Sequence, residues 1–223
     1  LKYFNKTLTG EADGAGPIDA VFKAIKKLTS NKSNVSCNYF IRSNGRIVQV
    51  VPEEYASWHS GISRWKNEKY LNRSSIGIEI HNPGHHNNYI NFPKQQINSL
   101  LKLLKFLKRK YKIKKNFILG HSDIAPDRKK DPGEKFPWKI LSKNKLSIWH
   151  KLNVSYLVKN RGKKLNTKKN KIFNNFLKKI GYRSYKQKNL ILSFQRRFRT
   201  ELINGISDEE CFAIAKNLIK LGI

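Results

Sequence analysis

The sequence predicts an α/β protein in which a mixed β-sheet is flanked by helices and followed by a small three-helix domain. Three observations lead to this fold class. Two β-rich runs flank an Asn-Gly turn, a third β-rich run precedes a long amphipathic pattern, and a polar, lysine-rich stretch separates these from several short helical patterns. Strands and helices in this order favour a layered α/β architecture.

The first predicted elements are a helix, a hairpin and a third strand. Residues 19–28 (DAVFKAIKKL) carry apolar side chains at helical spacing, and a Thr-Ser-Asn cluster ends the pattern. Residues 35–41 and 46–51 flank Asn44 and Gly45, and an Asn-Gly pair between β-rich runs is a strong hairpin signal. In residues 75–80 (SIGIEI) the alternation places Glu79 on the face opposite to the isoleucines.

The remaining elements are mostly helical. Pro93 opens an amphipathic helix that extends to about residue 111 and would cover one face of the sheet, and the apolar residues 116–119 predict a buried strand. A change to lysine, asparagine, glycine and threonine then predicts a solvated linker. We expect a larger first domain at residues 1–150, a basic linker at 151–170 and a helical domain at 171–223, with helices at 172–180, 190–198 and 207–221. Ser207 and Glu210 fit a capping box for the last helix.

The net charge of +31 comes from 46 Lys and Arg against 15 Asp and Glu. Such a charge favours a polyanionic partner, and a basic nucleic-acid-binding protein is one alternative. However, the charge is dispersed, and lysine occurs together with abundant asparagine and isoleucine, a mixture that AT-rich codon usage produces without any binding function. No nucleic-acid-binding motif is present, so nucleic acid is not the expected partner.

The sequence contains no run of 18 apolar residues and does not open with a signal-peptide pattern, so no transmembrane segment is expected. The two cysteines, Cys37 and Cys211, fall in different predicted domains, which argues against a disulfide framework. We expect a monomer.

Residues 120–137 (GHSDIAPDRKKDPGEKFP) are the most informative segment. His121 follows the predicted strand at 116–119, and several turn-forming residues after it would bring Asp131 back toward His121. Histidine nitrogen and aspartate oxygen both suit Zn²⁺, and a catalytic zinc typically has three protein ligands. The alternative is a surface loop in which the histidine and the aspartate occur by chance.

This segment closely resembles the zinc-binding segment of the type 2 N-acetylmuramoyl-L-alanine amidases, a family related to the peptidoglycan recognition proteins. Three further segments match that family in the expected order: residues 35–51 (VSCNYFIRSNGRIVQVV), 57–61 (SWHSG) and 74–84 (SSIGIEIHNPG). The C-terminal region resembles the small three-helix peptidoglycan-binding domain, with Phe194 and Gln195 at its characteristic Phe-Gln pair. The alternative for that region is a generic helical tail.

The resemblance implies a role for each site residue. It implies that His121 and Asp131 bind zinc, that Lys129 stabilises the oxyanion, and that Glu79 is the general base that activates water. The implied substrate-binding residues are Trp58, His59 and Asn82. For Trp58 and His59 the alternative is a buried tryptophan beside a histidine whose ring is fully hydrogen-bonded.

The sequence departs from the family at one zinc ligand. The family's first zinc histidine ends an early strand, whereas this sequence has no histidine before His59. Lys2-Tyr3 lies in a similar Leu-x-Tyr setting, but with lysine in place of the histidine. Either the chain is a fragment that lacks its first strand, or it belongs to a member that lost its metal.

The resemblance implies zinc-dependent hydrolysis of the amide between N-acetylmuramic acid and L-alanine, with peptidoglycan or a muropeptide as substrate. It also implies the bacterial cell envelope or periplasm, with the cytoplasm as the alternative. The first alternative function is a catalytically impaired peptidoglycan-binding protein that lacks the first zinc ligand. The second is the basic nucleic-acid-binding protein.

Overall fold

A computed structural model describes residues 35–222 of the chain. The helix predicted at residues 19–28 and the Lys2-Tyr3 segment lie outside the described residues. Within the described part, the predicted fold class is confirmed, because a small mixed β-sheet is flanked by α-helices.

The main sheet consists of three short strands. The central strand β1 (Tyr39–Ile41) pairs antiparallel with β2 (Ile47–Gln49) and parallel with β5 (Ile78–Ile80). The predicted hairpin and the predicted third strand are therefore confirmed, although each strand is shorter than predicted. A separate antiparallel pair is formed by β3 (Arg64–Trp65) and β4 (Glu68–Lys69).

Helix α1 (Lys94–Lys110) covers one face of this sheet, as its amphipathic pattern predicts. Its buried leucines and Ile97 share a hydrophobic core with side chains of β1 and β5. The buried Gln96 also donates hydrogen bonds from Nε2 to the carbonyl oxygens of Ile41 (3.1 Å) and His81 (2.9 Å). These two bonds fix the ends of the two parallel strands, and with them the backbone that carries Glu79.

The strand predicted at residues 116–119 is wrong. A 3₁₀ turn, Lys115–Phe117, occupies most of this segment, and Ile118 is extended but does not join a ladder. The Ile118 carbonyl instead accepts a hydrogen bond from Arg197 Nη2 at 3.0 Å. A side chain from a distant helix therefore satisfies the group that a neighbouring strand would have paired.

The second half of the described chain is helical. Helix α7 (Glu209–Lys220) begins after Asp208, whose side chain accepts from the backbone N–H of Cys211 at 2.8 Å. Asp208 is therefore the N-cap, and the predicted Ser207 capping box is wrong. The hydroxyl of Ser207 is used elsewhere, in a hydrogen bond to Asn170 at 2.6 Å. The helices after α1 are α2 (His121–Ile124), α3 (Trp138–Lys143), α4 (Val154–Asn160), α5 (Thr167–Ile180), α6 (Gln187–Phe198) and α7 (Glu209–Lys220).

The C-terminal helices share a hydrophobic core with earlier parts of the chain. Trp65 of β3, Leu71 and Ile148 pack in one cluster with the buried side chains of α5, α6 and α7. Within residues 151–170, where a linker was predicted, Leu157 of α4 and Leu165 belong to this same cluster. Nonpolar burial therefore continues across the predicted boundary between the two domains.

Candidate active site

Glu79 lies in the middle of β5, opposite Phe40 of β1. Burial raises the pKa of Glu79 above its ordinary value, and the negative charge of Asp131 raises it further, while His121 and Lys129 act in the opposite direction. Three residues of the 120–137 segment thus act electrostatically on the Glu79 carboxylate. Strand β5 and the segment after residue 120 therefore meet at one site.

The segment after residue 120 folds back on itself. The backbone N–H of Ser122 donates to the carbonyl of Asp131 at 2.8 Å, and His121 Nδ1 lies 3.0 Å from Asp131 Oδ2. Desolvation raises the pKa of Asp131, but the hydrogen bond and charge of His121 outweigh it and hold the pKa below its ordinary value. The expected return of Asp131 to His121 is thus observed.

The chemistry and spacing of these two atoms fit zinc. With metal–ligand distances near 2.0–2.1 Å, two ligand atoms of a tetrahedral zinc lie about 3.3 Å apart. When Nδ1 binds a metal, the proton is on Nε2, and His121 Nε2 lies 3.1 Å from the Ser60 carbonyl oxygen, which can accept it. Two ligand positions are therefore well matched.

The remaining ligand is not found in the described part of the chain. Residues 35–222 contain no group of three or more His, Cys, Asp or Glu side chains that could hold a metal ion. The first 34 residues contain neither histidine nor cysteine. Among the described residues, His121 and Asp131 are the pair that the predicted zinc site brings together.

Lys129 reaches the site from the same segment. Its backbone N–H donates to the Ala125 carbonyl at 3.0 Å, which fixes its position one turn after Ala125. Its positive charge lowers the pKa of both Glu79 and Asp131, so the ammonium group interacts electrostatically with both carboxylates. A cation in this position can stabilise negative charge that develops on a substrate oxygen.

His59 is fully engaged by neighbouring groups. Its Nδ1 lies 2.8 Å from Ser57 Oγ, and its Nε2 lies 2.9 Å from Ser75 Oγ. The ring also packs against Gly77, where an added Cβ would lie 2.3 Å from His59 Cγ, so the sequence needs glycine there. Burial lowers the pKa of His59, and the charge of nearby His121 lowers it further, against a hydrogen bond from the ring to the Ser57 carbonyl, which raises it.

The other two predicted substrate-binding residues differ in exposure. Trp58 precedes His59 and is 60 % exposed, so its indole lies on the surface beside the site. Asn82 uses both ends of its amide within its own loop: Nδ2 donates to Ile90 O at 2.9 Å, and Oδ1 accepts from Gly84 N at 3.0 Å. The side chain of Trp58 is therefore the more available of the two for a ligand.

Arg128 was not singled out from the sequence. Its Nε donates to the Ile62 carbonyl at 3.0 Å, and its Nη2 donates to the Ser60 carbonyl, the same oxygen that faces His121. The neighbouring Lys129 was found because the family resemblance assigns it a role. Arg128 carried no comparable signal, because its partners are backbone atoms more than sixty residues earlier.

Asp123 is a second residue that the sequence did not reveal. It is 1 % exposed and accepts hydrogen bonds from Gly120 N (2.8 Å), the Tyr182 hydroxyl (2.7 Å) and Arg197 Nη1. Ser193 Oγ of α6 also donates to the Ser122 carbonyl at 2.6 Å. The segment that carries His121 is thus bonded directly to the C-terminal helices.

Comparisons with known proteins agree with this arrangement. The family model described as N-acetylmuramoyl-L-alanine amidase matches residues 8–134. The chain is 34% identical over 211 residues to the N-acetylmuramoyl-L-alanine amidase AmiD of Escherichia coli, which covers 86% of this chain and 76% of AmiD. It is 39% identical over 105 residues to the 1,6-anhydro-N-acetylmuramyl-L-alanine amidase AmpD of Haemophilus influenzae, across 47% of this chain and 55% of AmpD.

Solved structures show the similarity over most of the chain as well. The complex of Escherichia coli AmiD with the substrate anhydro-N-acetylmuramic acid-L-Ala-D-γ-Glu-L-Lys superposes with a TM-score of 0.79 at 32% identity, covering 92% of this chain and 84% of AmiD. Pseudomonas aeruginosa AmpDh3 also gives a TM-score of 0.79, at 29% identity, covering 90% of this chain and 87% of AmpDh3. None of the helices in residues 35–222 is long and apolar enough to cross a membrane.

Proposed function

The chain belongs to the N-acetylmuramoyl-L-alanine amidase family, and we propose that it hydrolyses its substrate with the help of a zinc ion held by His121 and Asp131. The bond cleaved is the amide between the lactyl carboxyl group of N-acetylmuramic acid and the amine of L-alanine. The family membership makes the chain an enzyme. The identity of its metal and the role of each residue are our proposal.

A zinc ion bound at His121 and Asp131 would polarise the scissile carbonyl and acidify the attacking water. With a metal on Nδ1, the Ser60 carbonyl would accept a hydrogen bond from Nε2–H of His121, and the Nδ1 lone pair would be free for the metal. This is the usual arrangement of a metal-binding histidine.

Glu79 acts as the general base in this proposal. Its burial and the neighbouring Asp131 charge raise its pKa, and a raised pKa makes a carboxylate a better proton acceptor. Glu79 takes a proton from water as the oxygen attacks the carbonyl carbon, and then delivers a proton to the departing alanine nitrogen. The amide C–N bond breaks, which leaves a free lactyl carboxylate and a free amine.

Lys129 stabilises the tetrahedral oxyanion. Its charge acts on both Glu79 and Asp131, which supports a role in stabilising negative charge that develops on the carbonyl oxygen. The single observation that supports this mechanism best is the convergence of one carboxylate from β5 with a histidine, a lysine and an aspartate from one short segment.

The substrate is proposed from the relatives. AmiD was solved with anhydro-N-acetylmuramic acid-L-Ala-D-γ-Glu-L-Lys, and we propose a peptidoglycan-derived muropeptide of that class for this chain. The exposed indole of Trp58 would contact it, with His59 and Asn82 shaping the wall of the site. We further propose a monomer that acts in the bacterial cell envelope and whose C-terminal helices keep it near the polymer, where local concentration raises the rate.

The test is hydrolysis of that anhydromuropeptide, followed by chromatography of the released peptide, together with metal analysis of the purified protein. Glu79→Gln should abolish turnover while zinc content stays the same. Glu68→Gln, on the exposed strand β4, is the matched control and should keep full activity. Activity should also be lost on chelation and return with Zn²⁺.

The opposite results are equally informative. If the wild-type protein binds no stoichiometric metal and releases no peptide, yet sediments with peptidoglycan, the chain is a binding protein and the zinc hydrolase proposal fails. If Glu79→Gln keeps wild-type turnover, Glu79 is not the general base.

A further inference from the structure

The carbonyl oxygen of Ser60 receives two side chains from the 120–137 segment. His121 Nε2 lies 3.1 Å from it, and Arg128 Nη2 also donates to it. The same guanidinium donates from Nε to the Ile62 carbonyl at 3.0 Å. One arginine therefore binds two carbonyls of the short segment that contacts the proposed zinc ligand.

Gly61 makes this contact possible. Its φ of +55° lies in the left-handed region, which glycine adopts readily and which turns the backbone between Ser60 and Ile62. An added Cβ at Gly61 would lie 2.8 Å from Arg128 Nη2, too close for the guanidinium to keep its position. The position of the Arg128 guanidinium thus depends on a glycine at position 61.

Proton chemistry shows what this arrangement does for His121. A metal on Nδ1 requires the proton on Nε2, and that N–H needs an acceptor. Arg128 Nη2 lies 3.3 Å from Nε2 and can only donate, so it cannot serve as that acceptor. In the metal-bound form, with the proton on Nε2, the Ser60 carbonyl is the acceptor within reach, and Arg128 holds that carbonyl in place.

We propose that Arg128 is a positioning residue of the active site, which acts through the Ser60 carbonyl to orient His121 toward the metal. The inference rests on the proposed zinc-binding role of His121. Two other roles for Arg128 give different results: a substrate contact would change KM alone, and a purely structural role would change stability alone.

The experiment compares Arg128→Gln, Arg128→Lys and Gly61→Ala with Lys130→Gln. Lys130 is exposed and lies in the same segment. Lys130→Gln removes one positive charge, as Arg128→Gln does, and is therefore its matched control. Zinc affinity is measured by competition with a chromogenic chelator. The ring N–H of His121 is followed by ¹⁵N–¹H correlation spectra of the metal-free protein, and kcat, KM and the urea midpoint are determined for each variant.

We expect Arg128→Gln to weaken zinc binding about 10-fold, at the lower end of what residues next to metal ligands contribute, with a fall in kcat and little change in KM. Arg128→Lys should not restore the affinity, because a single ammonium lacks the planar fork that reaches two carbonyls. Gly61→Ala should resemble Arg128→Gln. In all three variants the His121 Nε2–H signal should exchange faster with water, whereas Lys130→Gln should match the wild type.

Three results would overturn the inference. One is an Arg128→Gln protein whose zinc affinity and His121 signal equal those of Lys130→Gln. Another is a lower urea midpoint with unchanged zinc affinity and an unchanged His121 signal, and the third is a rise in KM alone. If the wild type itself binds no zinc, the proposed function fails, but the His121 signal of the metal-free protein still decides whether Arg128 holds the Ser60 carbonyl.

Discussion

The buried ion pair between Asp123 and Arg197 gives the most direct test of how the C-terminal helices support the active-site segment. The side chains are 1 % and 2 % exposed, respectively. In Arg197→Met, the Asp123 carboxylate loses its cation, the Ile118 carbonyl loses its 3.0 Å hydrogen bond, and the ring of Trp138 loses a guanidinium 4.0 Å from its centre. Removing one partner of a buried ion pair typically destabilises a protein by about 3–5 kcal/mol.

The structure argues for the lower end of that range. Asp123 keeps two hydrogen-bond donors after the substitution, the Tyr182 hydroxyl at 2.7 Å and Gly120 N at 2.8 Å. In addition, Arg197 Nε has no hydrogen-bond partner in the folded protein, so removing it also removes an unfavourable buried group. We therefore expect a loss of about 3 kcal/mol in the free energy of unfolding, which corresponds to a fall in Tm of about 6–12 °C for a chain of this size.

The assay is urea unfolding followed by tryptophan fluorescence and circular dichroism. Arg73→Met is the control, because Arg73 is exposed, and it should change the stability by less than about 0.5 kcal/mol. The double variant Asp123→Asn/Arg197→Met removes both charges and should be more stable than Arg197→Met alone. The reasoning is refuted if Arg197→Met costs less than about 1 kcal/mol, or if the double variant loses the sum of the two single losses.

Three further predictions follow from the ionisable groups. Burial, aided by the charge of Lys139, lowers the pKa of His150 from 6.5 to about 4. As the pH falls from 6.5 to 4, the unfolded chain binds this proton before the folded chain does, so the free energy of unfolding should fall by about 3 kcal/mol. Urea unfolding at several pH values should show this loss in the wild type and not in His150→Asn. Because burial and Asp131 raise the pKa of Glu79 in the metal-free protein, its carboxyl should titrate above pH 4.5 in that form, and a midpoint at or below 4.5 in an NMR titration would contradict the raised pKa. Burial raises the pKa of Cys37 and of Cys211 to about 12, so neither thiol should react with an aromatic disulfide reagent at pH 8 until the protein unfolds, which absorbance at 412 nm would follow.

Local patterns in the sequence predicted local structure well. The Asn-Gly turn and its flanking β-rich runs gave the hairpin, and the amphipathic period gave α1 within one residue of its observed ends. The turn-forming residues after His121 correctly brought Asp131 back to it. Each of these features is determined by residues that lie within about twenty positions of one another.

Features set by distant partners could not be predicted in this way. The strand expected at residues 116–119 is absent from the described chain, where a 3₁₀ turn occupies residues 115–117 and the distant Arg197 binds the Ile118 carbonyl. The polar composition of residues 151–170 conceals the two leucines that enter the core, Leu157 and Leu165. Asp123 looks like an ordinary loop aspartate until its partners from the C-terminal helices are known.

The core that Trp65 and Leu71 share with α5, α6 and α7 determines how this protein can be re-engineered. A binding domain on a flexible linker can be replaced by another domain without disturbing the enzyme. In this protein, a chimaera joined near residue 150 would pack residues before 150 against foreign nonpolar side chains and would leave the Asp123 carboxylate without Arg197. A functional exchange would have to carry over both faces of that core, so the two halves are expected to accumulate substitutions together.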